Sequence, residues 1–420
     1  MSLILQRALY QLLLWLALPL IPLRLLVRGL KERGYWRHIP ERFGWMGALP
    51  NQPVWMHAVS VGEARAAAPL VEKFLAQTPA LPVLMTCMTP AGRATLEHLF
   101  GDRVTVRYLP YDLSGAMRRF LRQAQPRVGV IMETELWPHL VQESQRAGIK
   151  LFLVNARLSE RSARGYRKLA ALTRETLAGF AAVAAQTQAD AQRLLELGAH
   201  TVKVTGNLKF DIDPPAAQLE LGRVFRERIG TRPVWLVAST REGEERLVLE
   251  AFARTAPNDV LLVIVPRHPQ RFDDVVALAK NSRLSVQRRS GNDAVQPSTR
   301  VWLGDSLGEM FAYYHAADCA LIGGSLLPYG GQNLIEACAV GCPVMLGPHT
   351  ENFKQAAEDA IAQGAALRVG DAESWASEAA RLMQDGVASQ AMGAAGKVYS
   401  AAHKGAADRV WELLRAGAAR

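Results

Sequence analysis

The residues with chemistry to offer fall in short blocks that each follow an apolar stretch. Glu63 stands in Ser60-Val61-Gly62-Glu63. A carboxylate at the carboxyl end of a strand is where a general base must be to reach a hydroxyl. The same S-x-x-E spacing is that of a capping box, in which Glu63 would only close its own helix. Both roles stay open on spacing alone. Met132-Glu133-Thr134-Glu135-Leu136-Trp137-Pro138 offers two more carboxylates. The block is expected to present one carboxylate to the site, Glu133 directly at the strand end, and to leave Glu135 to a partner or solvent. Lys209, in Gly206-Asn207-Leu208-Lys209-Phe210, is either a phosphate-neutralising cation or an exposed lysine. Arg267 and His268, in Pro266-Arg267-His268-Pro269, pair a planar guanidinium fork with a second donor, a combination suited to phosphate oxygens. The block from Gly304 to Glu309 precedes a helix, and Leu307, Gly308 and Glu309 bring amides within reach of a base or phosphate.

The longest block runs from Gly323 to Pro348. It predicts a strand end at 320–322, a glycine loop, a helix over 333–340, a turn and a buried strand at 343–346. Gly323, Gly324, Gly330 and Gly331 permit close backbone approach and positive φ. With Asn333 at the helix start, bare N–H groups and the positive end of the dipole would face the loop, as in a phosphate site. Glu336, one turn in, can accept two hydrogen bonds from a ribose diol. An ordinary strand–turn–helix with an N-cap Asn accounts for the same residues. Asp211-Ile212-Asp213 has the spacing of a cation-binding pair, but it falls in a predicted linker and is read as no metal site.

These blocks need elements to carry them. The chain has 420 residues, 49% apolar and 21% charged, which is globular composition with length for two domains. Strands are expected at 54–59, 83–86, 104–109, 128–132, 151–154, 183–185 and 202–205, with helices between them. After a polar segment at 211–232 containing Pro214-Pro215, read as a linker, strands resume at 234–238, 260–265, 301–303, 320–322 and 344–346. Helices follow from about 372 to 418. Alternation of this kind gives parallel sheets with helices on both faces, so the fold class is α/β with two Rossmann-like domains facing a cleft. The expected domains are 1–30, 31–210, the linker 211–232, and 233–420. Cys87, Cys319, Cys338 and Cys342 lack metal-site spacing and are expected to be reduced core residues.

Net charge is +10, and residues 1–50 hold seven Lys/Arg against two acids, half of that excess. The run from Leu12 to Leu23 has no polar side chain. It falls short of the roughly 20 apolar residues of a spanning helix, and Pro19 and Pro22 interrupt it. Basic residues on its C-terminal side would keep the rest of the chain cytoplasmic. The reading is a membrane anchor, spanning or interfacial, on anionic lipid, with a buried N-terminal helix as the plain alternative.

Taken together and in order, SVGE, METELWP, NARLS (155–159), GNLKFD, PRHP, GDSLGE and GGQNLIEA resemble the 3-deoxy-D-manno-octulosonate (Kdo) transferases of Gram-negative bacteria. The resemblance runs from the anchor to at least residues 352–354. It implies a GT-B glycosyltransferase fold and transfer of Kdo, with inversion, from CMP-Kdo to the lipid A precursor (lipid IVA), without a metal or other cofactor. It implies Glu63 as proton acceptor and Glu133 and Lys209 as transition-state stabilisers. Arg267, His268, Leu307, Gly308, Glu309, Asn333, Leu334, Ile335 and Glu336 would bind CMP. The implied setting is the cytoplasmic side of the inner membrane, with anionic lipids and no nucleic acid as partners. One departure is Gln332, where many members carry histidine before the Asn; glutamine donates a hydrogen bond but carries no charge. Two other classes stay in view: a nucleotide-sugar epimerase on the same fold, and a non-catalytic nucleotide-binding membrane adaptor.

Overall fold

Runs of Val, Ile, Leu, Met and Ala bounded by polar turns become strands buried on both faces, the pattern of parallel sheets covered by helices. The structure, a computed structural model, describes residues 2–418 and divides into two units, 1–211 with 404–420, and 212–403. In the first unit the strands are β1 (Val54–His57), β2 (Val83–Cys87), β3 (Thr105–Tyr108), β4 (Val128–Met132), β5 (Lys150–Ala156), β6 (Phe180–Ala185) and β7 (Val202–Val204). They form one parallel sheet in the order β3-β2-β1-β4-β5-β6-β7. The second unit holds β8 (Val234–Thr240), β9 (Leu261–Pro266), β10 (Val286–Arg288), β11 (Val301–Leu303), β12 (Cys319–Ile322), β13 (Val344–Leu346) and β14 (Ala366–Arg368). Their order is β10-β11-β9-β8-β12-β13-β14. Each sheet therefore winds one way and then the other from its first strand. The reversals lie between β1 and β4 and between β8 and β12, the points at which open α/β sheets bind ligands.

Alternation along the strands divides the core of the first unit. Val54 and Met56 pack on one face of the sheet and Trp55 on the other. The helix Ala406–Ala418 closes the first of these faces with Val410, Trp411 and Leu414. Burying side chains of this size stabilises by about 2 kcal/mol each. The last helix thus belongs to the first unit and not, as the sequence suggested, to the second. Asp211 anchors its start, its Oδ1 accepting from the Gly405 N–H at 2.5 Å and its Oδ2 from the Ala407 N–H. The segment expected as a linker is also ordered: residues 216–229 form a helix of the second unit. Gly222 lets it lie against Ala312 and His315, since a Cβ there would come within 2.9 Å of the Ala312 carbonyl. Phe225 is buried with Trp302 and Tyr313. The proline pair hid this helix because prolines just ahead of a helix, as Pro215 is, read as breakers. The edge strands β10 and β14, three residues each, carried too little pattern to be expected. All four cysteines are free and buried.

The N-terminal apolar stretch forms two helices, Leu3–Ala17 and Leu20–Lys31, broken beside Pro19. Among the described residues no single helix is long and apolar enough to cross a membrane. The pair together has the length and composition, with a bend of 49° between its halves. Three polar residues on neighbouring turns dock the first helix on the first unit. The Gln6 side-chain oxygen accepts from the Leu172 N–H at 2.9 Å, Arg7 pairs with Glu175, and the Tyr10 hydroxyl donates to Asp112 at 2.6 Å. Ile4, Leu5, Leu12, Leu13, Trp15 and Leu16 are each more than half exposed.

Candidate functional site

At the reversal in the first unit, β1 and β4 are neighbours, so the turns that follow them lie side by side. Glu63 begins the helix Val61–Gln77 after β1 and is 9% exposed. The expected capping box does not form, for the Ser60 side chain makes no hydrogen bond to the helix backbone. Glu63 instead takes the Val59 N–H on Oε2 at 2.7 Å and the Ser60 hydroxyl on Oε1 at 3.1 Å. Burial, followed by the negative charges of Glu133 and Glu135, pushes its carboxyl up to about 7. The Val59 and Ser60 hydrogen bonds work in the opposite direction and are outweighed.

Glu133 stands just past β4 with φ +56°, a left-handed conformation that few non-glycine residues adopt. Its N–H donates to the Val154 carbonyl at 2.8 Å. The expectation that only one of Glu133 and Glu135 bears on the site fails: residues two apart on extended backbone already share a face, and here both charges act on Glu63. Glu135 accepts from the Trp137 indole N–H at 2.6 Å, and its own carboxyl is raised by burial. Lys209, on the short 3-10 turn Leu208–Phe210, has its ammonium 3.4 Å from Glu133 Oε1. Glu63, Glu133 and Lys209 are thus brought together.

Asn155 escaped notice as a single residue. It is the last but one residue of β5, in a left-handed conformation with φ +55°, and is fully buried. Its Oδ1 accepts from the Leu208 N–H at 3.0 Å, holding the turn that carries Lys209. Its position, a polar residue near the end of the strand beside β4, was the available signal.

In the second unit, Arg267 and His268 follow β9, with the Arg267 N–H donating to the Thr240 carbonyl at 3.0 Å. Burial and the positive charges of Arg241, Arg267 and Arg271 hold the His268 imidazole below its usual value. Leu307 is 70% exposed, Gly308 has φ +80°, and Glu309 accepts from Arg289 at 3.0 Å. The helix expected over 333–340 spans only Ile335–Val340. The Asn333 side chain accepts from the Ile335 N–H and donates to Glu336 at 3.2 Å. Six residues support little dipole, so the expected charge at that helix start is small. Leu334 and Ile335 are buried side chains, which leaves only their backbone to meet a ligand.

Sequence reading also missed Glu244, the first residue of the helix Glu244–Thr255 after β8. It is 1% exposed. Its Oε2 takes the Gly324 N–H at 2.6 Å and the Arg241 N–H at 2.9 Å, and its Oε1 takes the Leu326 N–H at 3.0 Å. The glycine loop is therefore braced from within by a carboxylate, which takes two of its amides. Adjacent acids opening a helix after a strand, Glu244-Glu245, were the clue. Among the described residues no cluster of His, Cys, Asp and Glu has metal-site geometry.

Residues 37–212 match the family model described as 3-deoxy-D-manno-octulosonic-acid transferase (kdotransferase). The 3-deoxy-D-manno-octulosonic acid transferase of Bordetella pertussis is 46% identical over 424 residues, covering 97% of this chain and 98% of that one. Its counterpart in Haemophilus influenzae is 35% identical over 423 residues, with the same coverage of 97% and 98%. In fold the chain is similar to a glycosyltransferase from Rickettsia africae ESF-5, with TM-score 0.61, 13% identity and coverage of 87% and 98%. Likeness to the two transferases holds across both sheets and the blocks that end their strands, and the chain belongs to the 3-deoxy-D-manno-octulosonic acid transferase family.

Proposed function

We propose that the protein transfers Kdo, with inversion, from CMP-Kdo to the lipid A precursor lipid IVA at the bacterial inner membrane. Family membership, at 46% identity over 97% of the chain, supports Kdo as the transferred group. The observation that carries the mechanism is Glu63, a buried carboxyl raised to about 7 beside an ion-paired Glu133 and Lys209. A base poised near the working pH is what proton removal from a primary hydroxyl requires.

On this reading the acceptor hydroxyl loses its proton to Glu63 as its oxygen bonds to the anomeric carbon of Kdo. The bond from that carbon to the CMP phosphate breaks in the same displacement, and the electron pair leaves with the phosphate. Lys209, oriented by Glu133, stabilises the charge that develops. Arg267 and His268 receive the phosphate, and the backbone at Leu307, Gly308 and Glu309 meets the rest of the nucleotide. Asn333 and Glu336, with the backbone of Leu334 and Ile335, complete the CMP contacts, Glu336 on the ribose diol. Lys209 and Arg267 supply the electrostatic work, and the reaction is expected to run in EDTA.

The anchor reading extends to the helices Leu3–Ala17 and Leu20–Lys31. Their exposed leucines, Trp15 and the exposed Arg24 and Arg28 suit an interface with anionic lipid on the cytoplasmic side. Purified protein, CMP-Kdo and tetraacyl lipid A precursor with EDTA should yield a Kdo-bearing glycolipid by mass spectrometry. Absence of product from protein that still binds CMP would overturn the acceptor. The protein should sediment with phosphatidylglycerol vesicles more than with phosphatidylcholine vesicles, and staying in the supernatant with both would overturn the membrane location.

A further inference from the structure

Arg241 has a setting that none of the roles above uses. It is the first residue beyond β8, at the reversal of the second sheet, where β8 separates β9 from β12. The glycine loop follows β12 on one side, and Arg267 and His268 follow β9 on the other. The Arg241 side chain runs past that loop: a Cβ on Gly324 would lie 3.5 Å from Arg241 Cγ and 3.2 Å from Gln332 Nε2. Its guanidinium lies 4.8 Å from the centre of the Tyr329 ring, and Tyr329 is itself tied back to the same turn by a 2.9 Å hydrogen bond to the Glu242 carbonyl.

Among the described residues, the Arg241 guanidinium has no carboxylate or hydrogen-bond partner. Arg271, close by, is engaged by Glu245 at 3.2 Å and by Asp274 at 3.4 Å. The two carboxylates nearest Arg241 in sequence are not available to it as counter-ions. Glu244 is turned to the backbone amides of Arg241, Gly324 and Leu326, and Glu242 lies 3.8 Å from Arg271. A half-buried arginine held on an aromatic face, with its charge unmatched at a sheet reversal, is arranged to take an anion. The glycine loop makes the need plain. With Gly324 and Leu326 amides already given to Glu244, the loop has less backbone to offer an anion than its glycines suggest, and a side chain must supply the charge. The lowered His268 basicity, which Arg241 shares in causing, is the mark of several cations facing one space.

We propose that Arg241 is an oxyanion-binding residue of the donor site, taking a bidentate contact from an anionic group of the activated sugar. This rests on the CMP-Kdo reading. Such a donor carries two anions, the phosphate and the carboxylate of the octulosonate, and both present the paired oxygens that a guanidinium matches. Tyr329 restrains the side chain, so less freedom is lost when the anion arrives.

The test is calorimetric binding to the full chain in detergent, with cytidine, CMP, CMP-Kdo and inorganic phosphate as probes. Arg241→Gln and Arg241→Lys are compared with wild type and with Arg246→Gln, an exposed arginine of the neighbouring helix that controls for net charge. If the phosphate is the partner, Arg241→Gln weakens CMP about 10- to 100-fold while cytidine is unchanged. If the carboxylate is the partner, CMP is unchanged and CMP-Kdo weakens by that factor. Arg241→Lys recovers part of either loss, since it keeps the charge and loses the fork, and Arg246→Gln loses nothing. Equal affinities in Arg241→Gln and wild type for all four probes would overturn the proposal, as would an equal loss of cytidine, which marks a structural effect. A wild type that binds neither CMP nor CMP-Kdo defeats the donor reading instead, and inorganic phosphate then judges Arg241 alone.

Discussion

In each unit the first strand ends, the chain turns, and a helix opens with a buried carboxylate: Glu63 after β1 and Glu244 after β8. The two sit at matching reversals of their sheets. Glu63 has one backbone N–H and one hydroxyl for company, with Glu133 and Glu135 as charged neighbours. Glu244 accepts the N–H groups of Arg241, Gly324 and Leu326. Both carboxyls are raised, chiefly by burial, but the relief differs. Around Glu244 every further contribution comes from backbone donors and favours the anion. Around Glu63 two further acids oppose it. The lesson is that strand–turn–helix geometry supplies a buried carboxylate, and the donors around it decide whether that group braces a loop or exchanges a proton.

Removing each carboxylate separates the two roles. Glu63→Gln keeps the shape and the acceptor oxygen but cannot take a proton, so kcat for Kdo transfer should fall by about 10²- to 10⁴-fold with the fold intact by circular dichroism. Activity near wild type would remove Glu63 from the mechanism.

The pH dependence of stability comes next. The folded Glu63 holds its proton up to about 7, while the unfolded carboxyl releases it near the ordinary value of 4.5. The folded state binds the extra proton between these values, so stability falls as pH rises through that window and levels off above it. One such group accounts for roughly 3 kcal/mol. Thermal unfolding from pH 5 to 8 should show this slope in wild type and lose it in Glu63→Gln. A variant that keeps the slope would assign it elsewhere.

Glu244→Gln sharpens the comparison from the other side. An amide group presents N–H where the loop needs an acceptor, leaving buried donors unmatched at a cost of about 1–3 kcal/mol. Chemical denaturation should register that loss, whereas Glu63→Gln should be neutral or stabilising above pH 7. The smallest effects are on titration. Glu133→Gln should lower the acidic limb of the kcat/KM profile, because it removes the larger of the two charges raising Glu63, and Glu135→Gln should lower it less. A limb unmoved by Glu133→Gln would break the electrostatic account of Glu63.

Much of this was readable before folding. Alternating strands and helices announced two parallel sheets, and β4, β11 and β13 were expected at or within a residue of where they lie. The motif blocks proved to end strands because polar, glycine-bearing segments are what can follow a buried apolar run. What failed did so for identifiable reasons. The helix at 216–229 was hidden by prolines ahead of it, and the last helix was assigned by proximity in sequence, although Trp411 and Leu414 bury themselves in the first unit. Glu135 was set aside although residues two apart on extended backbone share a face, and its charge acts on Glu63.

The sequence by itself determined the elements, the family and the residue types able to do acid–base and phosphate chemistry, because periodicity and side-chain chemistry are local properties. Tertiary structure decided what each group became. Lys209 is beside Glu133 because buried Asn155 holds its turn, Glu63 is raised to about 7 because burial and two acids surround it, and Glu244 braces the glycine loop because three backbone amides converge on it. Those outcomes depend on distances between residues tens of positions apart in the chain, and only the packed sheets set them.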